Sequence, residues 1–240
     1  MSIGYEQTYQ LRTSDFDQYR HPLPASILDI FQDSAGVNAE SMPGMDIATM
    51  DERGLLWVVT RLKYELVSMP ALHQQVRVRT WPLAPKRKGF QREYLMESLE
   101  GEVLAKGSSE WIVMSAATRG FVSMKDVAGG EGDYRTDTVF EGRMRKIRAI
   151  EPQGEGYTLV PTFTDIDTNG HVNNTKYANY ALDALQLGPD EVIRTCQIDY
   201  RRELHAGQHV TVHTRREGTR ALVMGTQAGE VSFMMDIELA

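Results

Sequence analysis

Asp165-Ile166-Asp167, followed by His171, repeats Asp15-Phe16-Asp17, followed by His21, at a constant shift of 150 positions. Behind each motif, mostly apolar residues recur at the i, i+3, i+4, i+7, i+8 spacing of one helix face. The residues at these positions are Tyr177, Tyr180, Ala181, Ala184 and Leu185 in the second half and Ile27, Ile30, Phe31, Ser34 and Ala35 in the first. Each half is therefore predicted to have one amphipathic helix.

The pattern changes to β after each helix. Val- and Thr-rich runs predict four strands in the first half, at Leu56–Val67, Val76–Trp81, Arg92–Leu99 and Val103–Met114. The second half repeats the pattern, since Val210–Thr214 resembles Val76–Thr80. The predicted class is α+β, with two tandem domains that each combine one long helix with an antiparallel sheet.

The predicted boundary lies between Lys125 and Arg148. This stretch contains a Gly-rich run at 129–132 and many charges, but little apolar periodicity. We therefore expect an N-terminal domain at residues 1–128, a linker at 129–150 and a C-terminal domain at 151–240.

Composition excludes several classes of protein. A formal net charge of −7 argues against general nucleic-acid binding. No apolar run approaches the roughly 20 residues that cross a bilayer, so no membrane partner is expected. Residues 1–10 lack the apolar core of a signal peptide and the Arg/Ser bias of a transit peptide, and Cys196 has no second cysteine to pair with. These features predict a cytoplasmic protein.

The ten residues from Asp165 to Asn174 concentrate carboxylates, amides and an imidazole directly before the second helix. Helix capping and turn formation account for such residues, with Gly170 supplying the turn. A site for acyl transfer accounts for them as well, because a helix N-terminus stabilises an oxyanion. His171 would exchange protons near neutral pH and Asn169 would hold a water. The residues alone leave both interpretations open.

The segment Asp165–Tyr177, read as Asp-x-Asp-x-Asn-x-His-Val-Asn-Asn-x-Lys-Tyr, resembles the signature of the plant and bacterial acyl-ACP thioesterases. Tyr200-Arg201-Arg202-Glu203 is similar to the family's Tyr-Arg-Arg-Glu element around its catalytic Glu. The first half agrees through Trp57-Val58-Val59-Thr60-Arg61, Trp81 and Ser109-Glu110-Trp111. The resemblance runs from about Leu11 to the C-terminus.

This resemblance implies a double hot-dog fold, with one working site in the C-terminal copy and a degenerate N-terminal copy that shapes the acyl pocket. It also implies hydrolysis of fatty acyl-ACP to free fatty acid and holo-ACP, which terminates fatty-acid synthesis, without metal or organic cofactor. The implied partner is an acyl carrier protein. Fusion of two copies leaves a monomer or a homodimer of fused chains open.

The sequence supports this asymmetry between the copies. Tyr19 stands where Asn169 would be, and Pro22 and Pro24 replace Val172 and Asn174. The strand alignment also puts Met69 opposite Glu203. The first copy has therefore lost an amide and a carboxylate that chemistry would need.

Leu204 stands where plant members have a Cys, so water must attack instead of a thiolate. We expect Glu203 to activate this water as a general base, with Asn169 helping to hold it. His171 would stabilise the oxyanion or protonate the departing sulfur, and Asp167 would orient the array. The division of base and acid between Glu203 and His171 stays open. Without the resemblance, Glu203 would fit an exposed surface carboxylate.

Other functions remain as alternatives. An acyl-CoA thioesterase of the same fold would use the same site, and a hot-dog 3-hydroxyacyl thioester dehydratase would also need a His and a carboxylate. A non-enzymatic acyl-binding protein would need neither. Acyl chain-length preference depends on pocket depth, which the sequence does not define.

His205, His209 and His213 are spaced by four, as zinc ligands on one helix face would be. Their neighbours alternate like a strand, so we predict no metal site there. Two basic clusters, Lys86-Arg87-Lys88 with Arg92 and a second at 143–148, would attract an acidic carrier protein. A solvated turn and a solvated linker explain these clusters equally well.

Overall fold

The computed structural model describes residues 4–86, 89–127, 134–152 and 154–240, except for the side chain of Lys125. The chain divides into two compact units. One unit comprises Met1–Thr13, Asp29–Leu62 and Val67–Arg143, and the other comprises Ser14–Leu28, Lys63–Leu66 and Met144–Ala240. The Gly-rich run at 129–132 and the predicted domain end at residue 128 lie outside the described residues.

The first half of the chain contains one long helix and an antiparallel sheet. Its elements are β1 (Tyr5–Gln10), a 3-10 turn (Thr13–Asp15), α1 (Pro24–Glu40), α2 (Ile47–Glu52), β2 (Leu55–Leu66), β3 (Gln75–Pro82), β4 (Phe90–Ser98), β5 (Val103–Ser115), β6 (Phe121–Val122) and α3 (Met124–Val127). The strands lie in the order β1-β3-β4-β5-β2, and β6 also pairs with β5. The pairs β1–β3, β3–β4 and β4–β5 are antiparallel. The four predicted strands are confirmed as β2 to β5, each within two residues at both ends.

Aromatic stacking attaches α1 to the sheet of the first unit. Phe31 of α1 stacks on Tyr94 of β4 with ring centroids 4.8 Å apart, and both side chains are fully buried. Arg92 of β4 donates to the Asn38 side chain of α1 at 2.7 Å. Phe31, a member of the apolar stripe predicted for the first helix, therefore packs against the sheet.

The second half repeats this architecture with shorter elements. They are β7 (Tyr157–Leu159), a 3-10 turn (Phe163–Asp165), α4 (Lys176–Leu185), β8 (Ile193–Tyr200), β9 (Val210–Glu217), β10 (Arg220–Gln227) and β11 (Glu230–Leu239). The strands lie in the order β8-β11-β10-β9-β7, and each neighbouring pair is antiparallel. The predicted helix and the strand at 210–214 are confirmed as α4 and β9.

The turn before the helix is the same in both halves. The Asp17 N–H donates to the His21 carbonyl at 2.9 Å, and the Asp17 carboxylate accepts the His21 N–H at 2.8 Å. The Asp167 N–H donates to the His171 carbonyl at 2.8 Å, and the Asp167 carboxylate accepts the His171 N–H at 3.4 Å. The duplicated sequence motif is therefore a duplicated local structure with an Asp at its centre.

The segments after β2 and β8 are equivalent too. The N–H groups of residues 67 and 68 both donate to one carbonyl of β5, and those of residues 201 and 202 both donate to one carbonyl of β11. The residue that follows is Met69 in the first half and Glu203 in the second. The backbone thus supports the predicted alignment of Met69 with Glu203.

The described part of the predicted linker makes defined contacts with each unit. In the first unit, the buried Glu93 carboxylate accepts the Val139 N–H at 2.9 Å. In the second unit, the buried Asp199 carboxylate accepts the Ile147 N–H at 2.8 Å. Buried carboxylates hold a segment that has little apolar periodicity of its own.

Among the described residues, no helix has both the length and the apolar character that crossing a membrane requires.

Gly225 leaves room for a buried ring in the second unit. It lies at an irregularity in the pairing of β10 with β11, and a Cβ at this position would meet Cε1 of Phe233 at 1.8 Å. We expect Gly225→Ala to destabilise the protein by about 1–3 kcal/mol through overpacking, measured as a lowered Tm. Gly36→Ala is the matched control, because Gly36 lies in α1 with open space around its Cα. That substitution should stabilise by about 0.5–1 kcal/mol. An unchanged Tm for Gly225→Ala would contradict the packing argument.

Candidate active site

The loop before α4 is built around the Asp167 carboxylate. Asp167 accepts the Asn169 N–H at 2.8 Å, and the Gly170 N–H donates to the Asp167 carbonyl at 3.1 Å. Gly170 has a φ of 80°, in the left-handed region that a glycine adopts without strain. The turn-forming role considered for these residues is therefore real, and it presents His171 at the end of a rigid turn.

Leu204 connects this loop to the chain that leaves β8. Its carbonyl accepts the Val172 N–H at 2.8 Å, and its N–H donates to the Tyr177 hydroxyl of α4 at 3.2 Å. The Leu204 side chain is fully buried. Glu203 and His205 flank this anchored residue, so their backbone positions next to His171 are fixed from both directions.

His171 and Glu203 are in direct contact. Nε2 of His171 lies 3.1 Å from Oε2 of Glu203, and their side chains are 23% and 35% exposed. The pair is therefore partly desolvated but open to a substrate. The geometry brings together the two groups to which the sequence assigned proton transfer.

Asn169 and Asp167 join this pair through the loop. The Asn169 side-chain amide donates to the second Asp167 carboxylate oxygen at 3.4 Å, and Asn169 itself is exposed. Asp167 also holds the backbone N–H of His171. The Asp167 carboxylate thus holds the Asn169 side chain and the backbone of His171 by hydrogen bonds.

The amides at the start of α4 are partly occupied. The Thr175 N–H donates to the Asn173 side chain at 3.0 Å, and the Lys176 N–H donates to the Asn173 carbonyl at 3.0 Å. These two amides are therefore not free to bind an oxyanion. The expectation that the N-terminus of this helix binds an oxyanion does not hold for them.

Two residues of this region were not singled out as functional by the sequence. Tyr177 was assigned to the apolar stripe of the helix, and His205 was considered only together with His209 and His213. The structure places the His205 ring 4.9 Å from the His171 ring, centroid to centroid. In the sequence, Glu203 and His205 are polar residues on either side of the apolar Leu204. This polar–apolar–polar pattern places both side chains on the same face of an extended segment, and it is the signal that could have revealed His205.

Tyr177 is a core residue with a polar end at the site. Its ring packs edge-on against Tyr200 at 5.3 Å and Phe233 at 5.1 Å. Burial raises the pKa of the Tyr177 hydroxyl, and the negative charges of Glu203 and Asp167 raise this pKa further. The hydroxyl therefore stays protonated while it accepts the backbone N–H of Leu204.

One member of the first basic cluster, Arg92, does not lie on the surface. Arg92 is buried, and its guanidinium donates to Asn38 and to Thr80. Arg87 and Lys88 lie outside the described residues. Arg92 is therefore unavailable to an acidic partner.

Two copies of a helix on an antiparallel sheet, of which the second brings a histidine and a carboxylate together, define a duplicated hot-dog protein. The family model of the acyl-ACP thioesterase N-terminal domain matches residues 3–128, and that of the C-terminal domain matches residues 151–238. The chain belongs to the acyl-ACP thioesterase family.

Curated relatives and solved structures agree. The palmitoyl-acyl carrier protein thioesterase, chloroplastic, of Arabidopsis thaliana is 27% identical over 216 residues, which cover 84% of this chain and 52% of the relative. The oleoyl-acyl carrier protein thioesterase 1, chloroplastic, of the same plant is 26% identical over 226 residues, which cover 84% of this chain and 60% of the relative. The chain thus spans little more than half the length of these relatives.

The solved structures confirm the expected fold. The 12:0-ACP thioesterase from Umbellularia californica superposes with a TM-score of 0.89 at 20% identity, covering 100% of this chain and 98% of that chain. An acyl-ACP thioesterase from Bacteroides thetaiotaomicron superposes with a TM-score of 0.87 at 24% identity, covering 99% of this chain and 98% of that chain. The double hot-dog prediction is therefore correct.

Tyr177→Phe tests whether the Tyr177 hydroxyl positions the chain around Glu203. The ring packing is kept, but the buried Leu204 N–H loses its acceptor, which costs about 1–3 kcal/mol. We expect kcat in a thiol-release assay to fall about tenfold or more, because small displacements of catalytic groups slow chemistry strongly. Tyr9→Phe is the control, since the Tyr9 hydroxyl bonds Asp33 and Ser34 in the first unit. Equal losses of kcat in both variants would mean that the effect is general.

Proposed function

We propose that the chain hydrolyses the thioester of fatty acyl-ACP and releases a free fatty acid and holo-ACP. The observation that carries this proposal is the 3.1 Å contact between His171 and Glu203, beside the turn that Asp167 organises. Membership of the acyl-ACP thioesterase family supports the substrate class. In this role the enzyme would end the growth of an acyl chain during fatty-acid synthesis.

The first step is attack by water. Glu203 accepts a proton from a water molecule as the water oxygen bonds to the thioester carbonyl carbon. The Asn169 side chain holds the water or the carbonyl oxygen, and His171 stabilises the negative charge that develops there. Asp167 keeps the amide and the imidazole in place for this step.

The second step releases the thiol. As the carbon–sulfur bond breaks, His171 gives its Nε2 proton to the departing sulfur, and in the same step the proton held by Glu203 passes to His171 across their direct contact, so the imidazole never becomes an anion. Thioester and water are thereby converted to carboxylic acid and thiol, and both side chains return to their starting states. This scheme assigns the base to Glu203 and the acid to His171.

The only cysteine does not supply a nucleophile in this scheme. Cys196 lies in β8, and its side chain is buried. Burial raises the pKa of the Cys196 thiol, which disfavours the reactive thiolate. Leu204, at the place of the plant Cys, offers no alternative group.

The two copies have different proposed roles. Residues 151–240 form the catalytic domain, and residues 1–128 form a degenerate domain that shapes the acyl pocket, joined by residues 129–150. The first copy keeps the turn of Asp17 and His21 but has Met69 in the place of Glu203. A thioether accepts no proton at neutral pH, so this copy lacks a general base.

Acyl carrier protein is the proposed partner. The fused chain itself would act as a monomer or as a homodimer. The cytoplasmic location expected from the sequence stays a prediction, and the plant relatives carry the word chloroplastic in their names. No metal or organic cofactor enters the proposed reaction.

Substitution of the contact pair tests the mechanism. We expect Glu203→Gln and His171→Ala each to lower kcat/KM on acyl-ACP about 100-fold or more, because each removes a proton-transfer group. His21→Ala is the matched control, since it removes the imidazole from the equivalent turn of the first copy. Its kcat should stay close to that of wild type, because His21 is not one of the proposed proton-transfer groups. Near-normal turnover by Glu203→Gln would remove Glu203 from the mechanism.

The same assay separates the rival functions. Comparison of kcat/KM on acyl-ACP and acyl-CoA distinguishes a carrier-protein substrate from a coenzyme substrate. Loss of a 3-hydroxyacyl thioester without release of thiol would indicate a dehydratase, and tight acyl binding without turnover would indicate a binding protein.

Cys196→Ala tests the assignment of water as the nucleophile. We expect kcat to remain within about twofold of wild type, although loss of a buried side chain should lower stability by about 1 kcal/mol. Activity is measured by thiol release, and folding is checked by the thermal transition. Abolished turnover in a folded variant would contradict attack by water.

A further inference from the structure

His171, Glu203 and His205 form a cluster of metal-ligating side chains. Each offers one ligand atom, and these three atoms lie within 4.8 Å of one another. Two imidazoles and one carboxylate make a donor set that binds Zn²⁺ with one coordination position left open. The sequence prediction of no metal site concerned the set of His205, His209 and His213. The structure groups His205 with His171 and Glu203 instead.

The spacing of the cluster fits a small tetrahedral ion. Ligand atoms around Zn²⁺ lie about 3.3 Å apart when the metal–ligand distances are about 2.0–2.1 Å. Nε2 of His171 and Oε2 of Glu203 are already 3.1 Å apart. The His205 ring is tilted by 61° to the His171 ring, with a centroid distance of 4.9 Å. The His205 ligand atom lies within 4.8 Å of the other two, so metal binding requires a movement of this side chain toward the His171–Glu203 pair.

The backbone holds the three ligands before any ion arrives. Leu204, between Glu203 and His205, is hydrogen-bonded to Val172 on one side and to α4 on the other. His171 is held in its turn by Asp167. A site whose ligands are positioned in advance loses less conformational entropy on binding than a flexible cluster does.

Only the second copy has this set of residues. The positions equivalent to Glu203 and His205 are Met69 and Ala71, as the matching backbone hydrogen bonds of residues 67–68 and 201–202 show. His205 also has no part in the proposed hydrolysis. The cluster is therefore an addition to the second site and not a general property of the repeated turn.

We propose that His171, Glu203 and His205 bind a divalent transition-metal ion of the Zn²⁺ type and that this ion inhibits the enzyme. Imidazole nitrogens favour Zn²⁺, Ni²⁺ or Cu²⁺ over Mg²⁺ and Ca²⁺, which prefer oxygen ligands. The inhibitory part rests on the proposed function, because a bound ion occupies the carboxylate that must accept a proton and the imidazole that must give one. Binding of the ion itself does not depend on that function.

The test uses the full chain without a histidine tag, treated with a chelator and then titrated with ZnCl₂ in a calorimeter without substrate. We expect one Zn²⁺ per chain in wild type and binding weakened roughly tenfold or more in His205→Ala, which loses one of three protein ligands. His209→Ala is the matched control, because His209 lies outside the cluster, and it should bind like wild type. Absence of saturable binding, or equal binding by His205→Ala and wild type, overturns the proposal.

Activity measured in parallel separates inhibition from binding. The chelator-treated wild type should hydrolyse acyl-ACP, lose this activity as ZnCl₂ saturates the site, and regain it with chelator. His205→Ala should need roughly tenfold more ZnCl₂ for the same inhibition. Activity that requires added Zn²⁺, or saturated binding without inhibition, overturns the inhibitory role. An enzyme that binds Zn²⁺ but hydrolyses no acyl-ACP under any condition would instead count against the proposed function.

Discussion

The backbone of Leu204 is the junction on which the site depends. Its carbonyl receives the N–H of Val172 from the loop, and its N–H reaches the Tyr177 hydroxyl on α4. One residue thereby connects the end of a strand, the loop before a helix and the helix itself. Because both backbone groups are buried, releasing either would cost about 1–3 kcal/mol. The position of Glu203 opposite His171 follows from this junction.

The two copies share the turn before the helix but differ in the residues around it. Asp17 and Asp167 make the same hydrogen bonds, so the turn forms without any catalytic requirement. One difference is the residue after the paired N–H groups of the neighbouring segment, which is Met69 in one copy and Glu203 in the other. Duplication preserved the framework, and the carboxylate distinguishes the two copies.

Much of the fold could be predicted from the sequence, because burial of one face imposes a period on helices and strands. The predicted strands and α4 are nearly where the periodicity placed them. The pairing of His171 with Glu203 followed from a family signature. The burial of Arg92 could not be predicted, since it depends on a contact with Asn38, a residue far away in the chain.

The absence of a side chain at Gly225 affects the packing next to Glu203. The space that it leaves is filled by the ring of Phe233, which packs edge-on against Tyr177, and Tyr177 holds the N–H of Leu204. The missing side chain at Gly225 thus affects, through the rings of Phe233 and Tyr177, the backbone next to Glu203, the proposed general base. A substitution at Gly225 would therefore disturb the surroundings of Glu203 without any direct contact with that residue.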